Sequence, residues 1–213
     1  VAGGGALIGT GAFTTVEAER TVNVETAGDA SGFLGLEAAD RPDNSTATPG
    51  TATSGANQNE YVQETNGTIV INLDGGSDGD SDDAGTGLNQ SAITTFQELV
   101  TVTNNGTQTV DSLTLDMIVE NVNTSNSNVP SGTNASDVES TFQFTASDGS
   151  NSVTVDENTD ILSSSNLGAS LTPGDAVDFG LKINLISDRN PGSLNDLPTA
   201  DYTLSILAET ANS

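Results

Sequence analysis

The sequence predicts an all-β fold, a two-sheet β-sandwich of jelly-roll or immunoglobulin-like type built from residues 17–213 as a single domain, with an extended segment, residues 1–16, in front of it. Three observations predict it. Apolar and polar residues alternate in about eight separate runs, the period-2 signature of strands with one buried face. Gly, Asn, Asp and Pro gather between these runs, where the chain must turn. No segment keeps a helical period long enough for a sizeable helix. A length of 213 residues fits one large all-β domain.

Taken in chain order, Thr21–Thr26 sets Val22 and Val24 on one face, and Thr68–Asp74 aligns Ile69, Ile71 and Leu73. Ala92–Glu98, with Ile93 and Phe96 three apart, is the best candidate for one short helix. Leu99–Thr103 reads as a short strand, and Asn104-Asn105-Gly106 after it as the turn of a hairpin. Thr109–Glu120 then aligns Leu113, Leu115, Met117 and Val119, and Thr141–Thr145 alternates Phe142 and Phe144 with polar residues. The strongest run is Ala176–Ser187, with Val177, Phe179, Leu181, Ile183 and Leu185 on one face. Tyr202–Ala208 closes the fold with Leu204 and Ile206. Residues 38–59, 74–88 and 121–137 read as long polar loops on the surface.

The charge narrows function. Four Lys and Arg against thirty Asp and Glu give a formal net charge of -26, which leaves no phosphate-neutralising surface; nucleic acid is not an expected partner. Lys182 is the single lysine. Such self-repulsion is tolerable where salt screens it, with a Debye length of about 3 Å at 1 M, so a halophilic source is expected, an acidic secreted protein of ordinary salt being the alternative. There is no Cys, His or Trp. Disulfides and thiolate metal sites are thereby excluded, together with the commonest nucleophile, general base and zinc ligand. No G-x-S-x-G elbow, Walker loop or dinucleotide fingerprint occurs, and with carboxylates everywhere no acid–base pair stands out. An enzyme is not expected.

The first stretch, VAGGGALIGTGAFTTVEAE, is small and apolar with no charge before Glu17, like the end of an export signal. It is too short and too Gly-rich to span a membrane. Extended, residues 6–16 reach about 35 Å at roughly 3.3 Å per residue, enough to cross a sheet. Ala6, Leu7, Ile8, Ala12, Phe13 and Val16 are therefore candidate donor-strand residues, filling a gap in a neighbouring subunit's sheet, with glycines allowing close approach. A head-to-tail contact of this kind builds a filament unless its rotation closes. The alternative is that residues 6–16 pair as an edge strand within their own sandwich.

Two further features offer ligand chemistry. In the acidic loop Asp78, Asp80 and Asp82 alternate, and with Asp74 and Asp83 they could turn toward one hard cation such as calcium. The pattern departs from an EF-hand loop, with Asp83 where Gly is needed and Asn89 where a bidentate Glu is needed, and a solvated acidic loop is the plainer reading. Sequons for N-glycosylation stand at Asn44, Asn66, Asn89, Asn105, Asn123 and Asn134, about as many as a chain rich in Asn, Ser and Thr produces by chance.

The N-terminal GGGALIGTGAFTTVEAERTVNV, the central FQELVTVTNNGTQTVDSLTL, and the late LTPGDAVDFGLKINL and YTLSILAE together resemble the TasA/camelysin-like biofilm fibre proteins and their archaeal relatives, the bundling pilins, over about half the chain. The resemblance implies a jelly-roll-like subunit that polymerises with itself by donor-strand complementation in an extracellular, cell-surface fibre. One departure matters. In the bacterial members cleavage falls nearer Phe13, so retention of residues 1–12 implies a different processing point and a longer donor segment.

Overall fold

The computed structural model describes residues 21–24, 34–39, 61–65, 68–73, 88–125 and 129–210, and the architecture is that of these residues. The elements are β1 Thr21–Val24, β2 Leu34–Ala38, β3 Val62–Thr65, β4 Thr68–Asn72, β5 Ile93–Asn104, β6 Val110–Asn123, the short helix α1 Ala135–Glu139, β7 Phe142–Ser147, β8 Ser152–Asp156, β9 Thr159–Asp160, β10 Ala176–Asn184 and β11 Thr199–Thr210. They form a six-stranded sheet in the order β3-β4-β1-β11-β6-β9 and a five-stranded sheet in the order β2-β5-β10-β7-β8. The sheets are antiparallel except at β1 and β11, which run parallel with Val22 opposite Tyr202. The fold is all-β.

Alternation along each long strand turns one face inward. Leu113, Leu115, Met117 and Val119 of β6, and Tyr202, Leu204 and Ile206 of β11, join Val177, Phe179, Leu181 and Ile183 of β10 and Phe142 and Phe144 of β7 in one continuous core. The two sheets share that core, and each such side chain contributes about 1.5–3 kcal/mol by leaving water. Ile69, Ile71, Leu73 and Leu185 are buried as their periodicity predicts. Tyr202 stacks edge-on to Phe142 and donates its hydroxyl hydrogen to the Pro198 carbonyl at 2.6 Å, so its polar tip is satisfied in the interior.

Two expectations are corrected. The short helix at Ala92–Glu98 is strand, the first half of β5, with Ile93, Thr94, Thr95 and Phe96 opposite Asn184, Ile183, Lys182 and Leu181 of β10. Ile93 is 43% exposed and Phe96 only 7%, so the two never shared a face. The β-branched Ile-Thr-Thr run favours a strand, and a bulge then breaks its alternation. Gln97, Glu98 and Leu99 all lie opposite the single Gly180, with Glu98 at φ 53°. Gly180 is required there, because a Cβ would overlap the Phe96 carbonyl and Thr145 Oγ1.

The second correction concerns Asn104-Asn105-Gly106, which closes no hairpin. β5 lies between β2 and β10 in one sheet, while β6 lies between β11 and β9 in the other. The turn is an arch between sheets. None of its three residues takes the positive φ that a tight two-residue hairpin requires. Asn104 is wholly buried and anchors the arch instead: Nδ2 donates to the carbonyls of Gln108 and Leu171, each at 2.8 Å, and Oδ1 accepts from the Gly106 N–H at 2.9 Å.

The polar loop expected over 121–137 is also shorter. β6 continues to Asn123 past a bulge at Asn121, and α1 follows, started by a capping box in which Asn134 and Asp137 bond each other's backbone N–H. At the start of the loop expected over 38–59, Ala38 belongs to β2 and Ala39 is buried.

Candidate assembly and binding surfaces

Residues 1–20 lie outside the described residues, and with them every candidate donor-strand position: Ala6, Leu7, Ile8, Ala12, Phe13 and Val16. The point where that segment joins the fold is described. β1 begins five residues after Val16 and lies inside the six-stranded sheet, between β4 and β11. The sheets end in β3 and β9 on one side of the core and β2 and β8 on the other. Along β6 the two-residue β9 covers little by itself. Bonds on either side of it and from its own side chain complete the cover: Asn158 N–H donates to the Leu115 carbonyl and Ile161 N–H to the Leu113 carbonyl, both at 2.9 Å, Asp160 Oδ1 accepts from Leu113 N–H at 2.9 Å, and Leu171 bridges Val110. That edge is occupied by the chain itself, a common defence against unwanted strand pairing.

A shallow polar hollow of about 360 Å³ opens on the outer face of the five-stranded sheet, beside the β5 bulge. Gln97, Glu98, Thr145, Ser147, Ser150 and Asp178 line it. It adjoins a second hollow reaching Glu37 and Thr101, where Thr101 Oγ1 donates to Asp178 Oδ1 at 2.5 Å. Asp148 at its rim is held below the usual carboxylate range by the N–H groups of Asn151 and Ser150 and the Asn151 side chain. Hydroxyls, amides and carboxylates make this surface suited to a polar ligand, held by hydrogen bonds rather than by apolar contact.

A second carboxylate group sits where β8 turns into β9. Glu157 is part-buried, and its Oε2 is a buried side-chain oxygen without a hydrogen-bond partner. Its pKa is pushed up to about 7 by burial first, then by the nearby carboxylates of Asp116, Glu139 and Asp156. Those three are engaged elsewhere. Asp116 accepts from Asn158 Nδ2 at 3.0 Å, Glu139 from Val119 N–H at 3.0 Å, and Asp156 from Gln143 Nε2 at 2.7 Å. Sequence reasoning missed Glu157 entirely, since one Glu among thirty acidic residues carries no signal of its own.

The remaining candidates divide by position. Asp74, Asp78, Asp80, Asp82 and Asp83 of the suggested calcium loop, and the sequons at Asn44 and Asn66, lie outside the described residues. Among the described residues no group of three or more acidic side chains has metal-holding geometry. Asn89, Asn105, Asn123 and Asn134 are all exposed. Asn123 and Asn134 use Oδ1 to accept backbone N–H bonds from Ser125 and Asp137, whereas a glycan attaches through Nδ2. At Asn105 it is Nδ2 that fills the space a side chain on Gly35 of β2 would take, so a glycan there would start against β2. Among the described residues no helix is long and apolar enough to cross a membrane. Comparison of the chain with family models, curated proteins and solved structures finds no match.

Proposed function

We propose that this chain is a non-enzymatic structural subunit of an extracellular filament or pilus of a halophile, polymerising with itself by donor-strand complementation through residues 1–16. The observation that carries the reading is the continuity between that apolar, glycine-rich segment and β1, a strand inside the six-stranded sheet of an all-β body. A segment leaving such a sheet is suited to complete the sheet of a neighbour, because both gain backbone hydrogen bonds and the apolar side chains gain a core. The two-sheet body with its shared core supports a sandwich subunit as the receiving partner. Deleting residues 1–13 and imaging the purified protein by electron microscopy tests it. Loss of fibres is the expected result; fibres that persist unchanged overturn the donor-strand reading.

The polar hollow beside the β5 bulge favours a second reading, a monomeric cell-surface module that binds a polar ligand. That protein would elute as one monodisperse monomer in high-salt size-exclusion chromatography with residues 1–16 intact, whereas a filament subunit would give higher assemblies.

A further inference from the structure

Where β8 leaves the five-stranded sheet and β9 enters the other, the chain crosses in two residues, Glu157 and Asn158, with Asn158 at φ 57°. The crossing is held from both sides. Asn158 bonds β6 twice, N–H to the Leu115 carbonyl and Nδ2 to the Asp116 carboxylate. Glu157 bonds nothing through Oε2, although that oxygen is shut away from water. A buried acceptor without a partner is costly when ionised and far less so when protonated.

Three like charges act on this carboxyl from three elements: Asp116 from β6, Glu139 from α1 and Asp156 from β8. Asp160 of β9, three residues further along the chain, is spoken for by the N–H groups of Leu113 and Leu162. The surroundings therefore accept a neutral Glu157 and reject a charged one. What the crossing holds down is the segment from Asn158 to Ile161, the first part of the cover on the β6 edge.

We infer that Glu157 is a proton-operated latch on the β6 edge: protonated, its side chain stays under the crossing and the cover is closed; ionised, three facing carboxylates drive it toward solvent and the cover loosens. The direction follows from where the proton is held. The folded chain keeps it up to about pH 7, while an unfolded chain releases it near 4.5, so the folded state binds more protons in between. Stability therefore falls as pH rises from about 4.5 through about 7 and changes no further from this group above that. Salt weakens the part due to Asp116, Glu139 and Asp156 but leaves the part due to burial, so the latch persists in strong salt with a lower midpoint.

The test uses the full 213-residue chain at constant ionic strength, with hydrogen exchange corrected for intrinsic rates. Exchange at the Asn158 and Ile161 amides should be roughly fivefold faster at pH 8 than at pH 5, while the Leu204 amide in the middle of the sheet stays unchanged. Glu157→Gln should remove that pH dependence and lock the cover in its slow state. Should that variant fold poorly, Glu139→Gln, whose amide oxygen can still accept from Val119 N–H, must shift the exchange midpoint to lower pH. The inference is overturned if Asn158 and Ile161 exchange alike at both pH values in the unaltered chain, or if the carboxyl of Glu157, followed by carbon-13 NMR, titrates below pH 5.

Discussion

Among the places where the chain crosses from the five-stranded to the six-stranded sheet are residues 105–109 and Glu157-Asn158, and these two crossings treat a buried polar side chain in opposite ways. At the first, Asn104 is wholly buried and every polar atom of its amide group is used, Nδ2 twice and Oδ1 once. Its backbone is used as well, the N–H donating to the Asp175 carbonyl and the carbonyl accepting from Gly174 N–H. At the second, Glu157 carries an oxygen that is buried and unmatched among three carboxylates. A neutral, fully bonded anchor is insensitive to pH and costly to replace. A titratable one with an unmatched buried oxygen yields to pH and gains from replacement.

The largest effect should come from breaking the first anchor. Asn104→Ala leaves the Gln108 and Leu171 carbonyls buried without donors and opens a void, a loss of about 2–4 kcal/mol read from the urea midpoint at unchanged m-value. Asn104→Asp goes further and turns the first crossing into a version of the second. A carboxylate placed against two carbonyl oxygens repels both, so at pH 7 the loss should match or exceed that of Ala. When protonated at pH 4 it can again donate to one carbonyl, and about half the loss should return. An equal loss relative to the unaltered chain at both pH values would show that Asn104 is not sealed from solvent as its burial indicates.

How much of this was legible depended on whether the cause lay within a strand or between strands. The face of β10 was readable because Val177, Phe179, Leu181 and Ile183 alternate without interruption, and one buried face imposes that pattern directly. β8 offered only Val153 and Val155 between polar residues, and β9 is two residues long, too little for periodicity to register. The Asn104-Asn105-Gly106 bend was visible as a bend. Which sheet receives the next strand is decided instead by pairings far away in sequence, such as Thr101 opposite Asp178 and Leu204 opposite Met117. The capping box of α1 could have been found, since Asn134-x-x-Asp137 ahead of the buried Val138 carries its signature. The charge state of Glu157 could not, because its three neighbours come from three separate elements.

Relieving the second crossing should produce a smaller change of opposite sign. Glu157→Gln keeps the shape and removes the charge, so it should stabilise the chain at pH 8 by about 1 kcal/mol, a figure held low because solvent reaches the rest of the side chain and screens the repulsion. At pH 4.5 the variant and the unaltered chain should melt together. A gain of equal size at both pH values would assign the effect to packing and remove the carboxylate repulsion from the account.

The smallest effect separates backbone from side chain at the same crossing. Asn158 sits at φ 57°, a region that a Cβ disfavours by roughly 1–2 kcal/mol and that Asn and Gly tolerate best. Its side chain also donates to Asp116, but that bond is exposed and worth little. Asn158→Gly should therefore cost at most about 0.5 kcal/mol, the lost bond and the freer unfolded chain being offset by easier backbone geometry. Asn158→Ala, which keeps the backbone N–H bond to Leu115 and changes only the conformational preference and the side-chain bond, should cost about 1 kcal/mol. If Gly proved as damaging as Ala, the Asn158–Asp116 bond rather than the turn geometry would be holding the crossing. Asp116 would then be restrained by Asn158 while facing Glu157, and a double-mutant cycle over positions 157 and 158 would measure how far the two substitutions depend on each other.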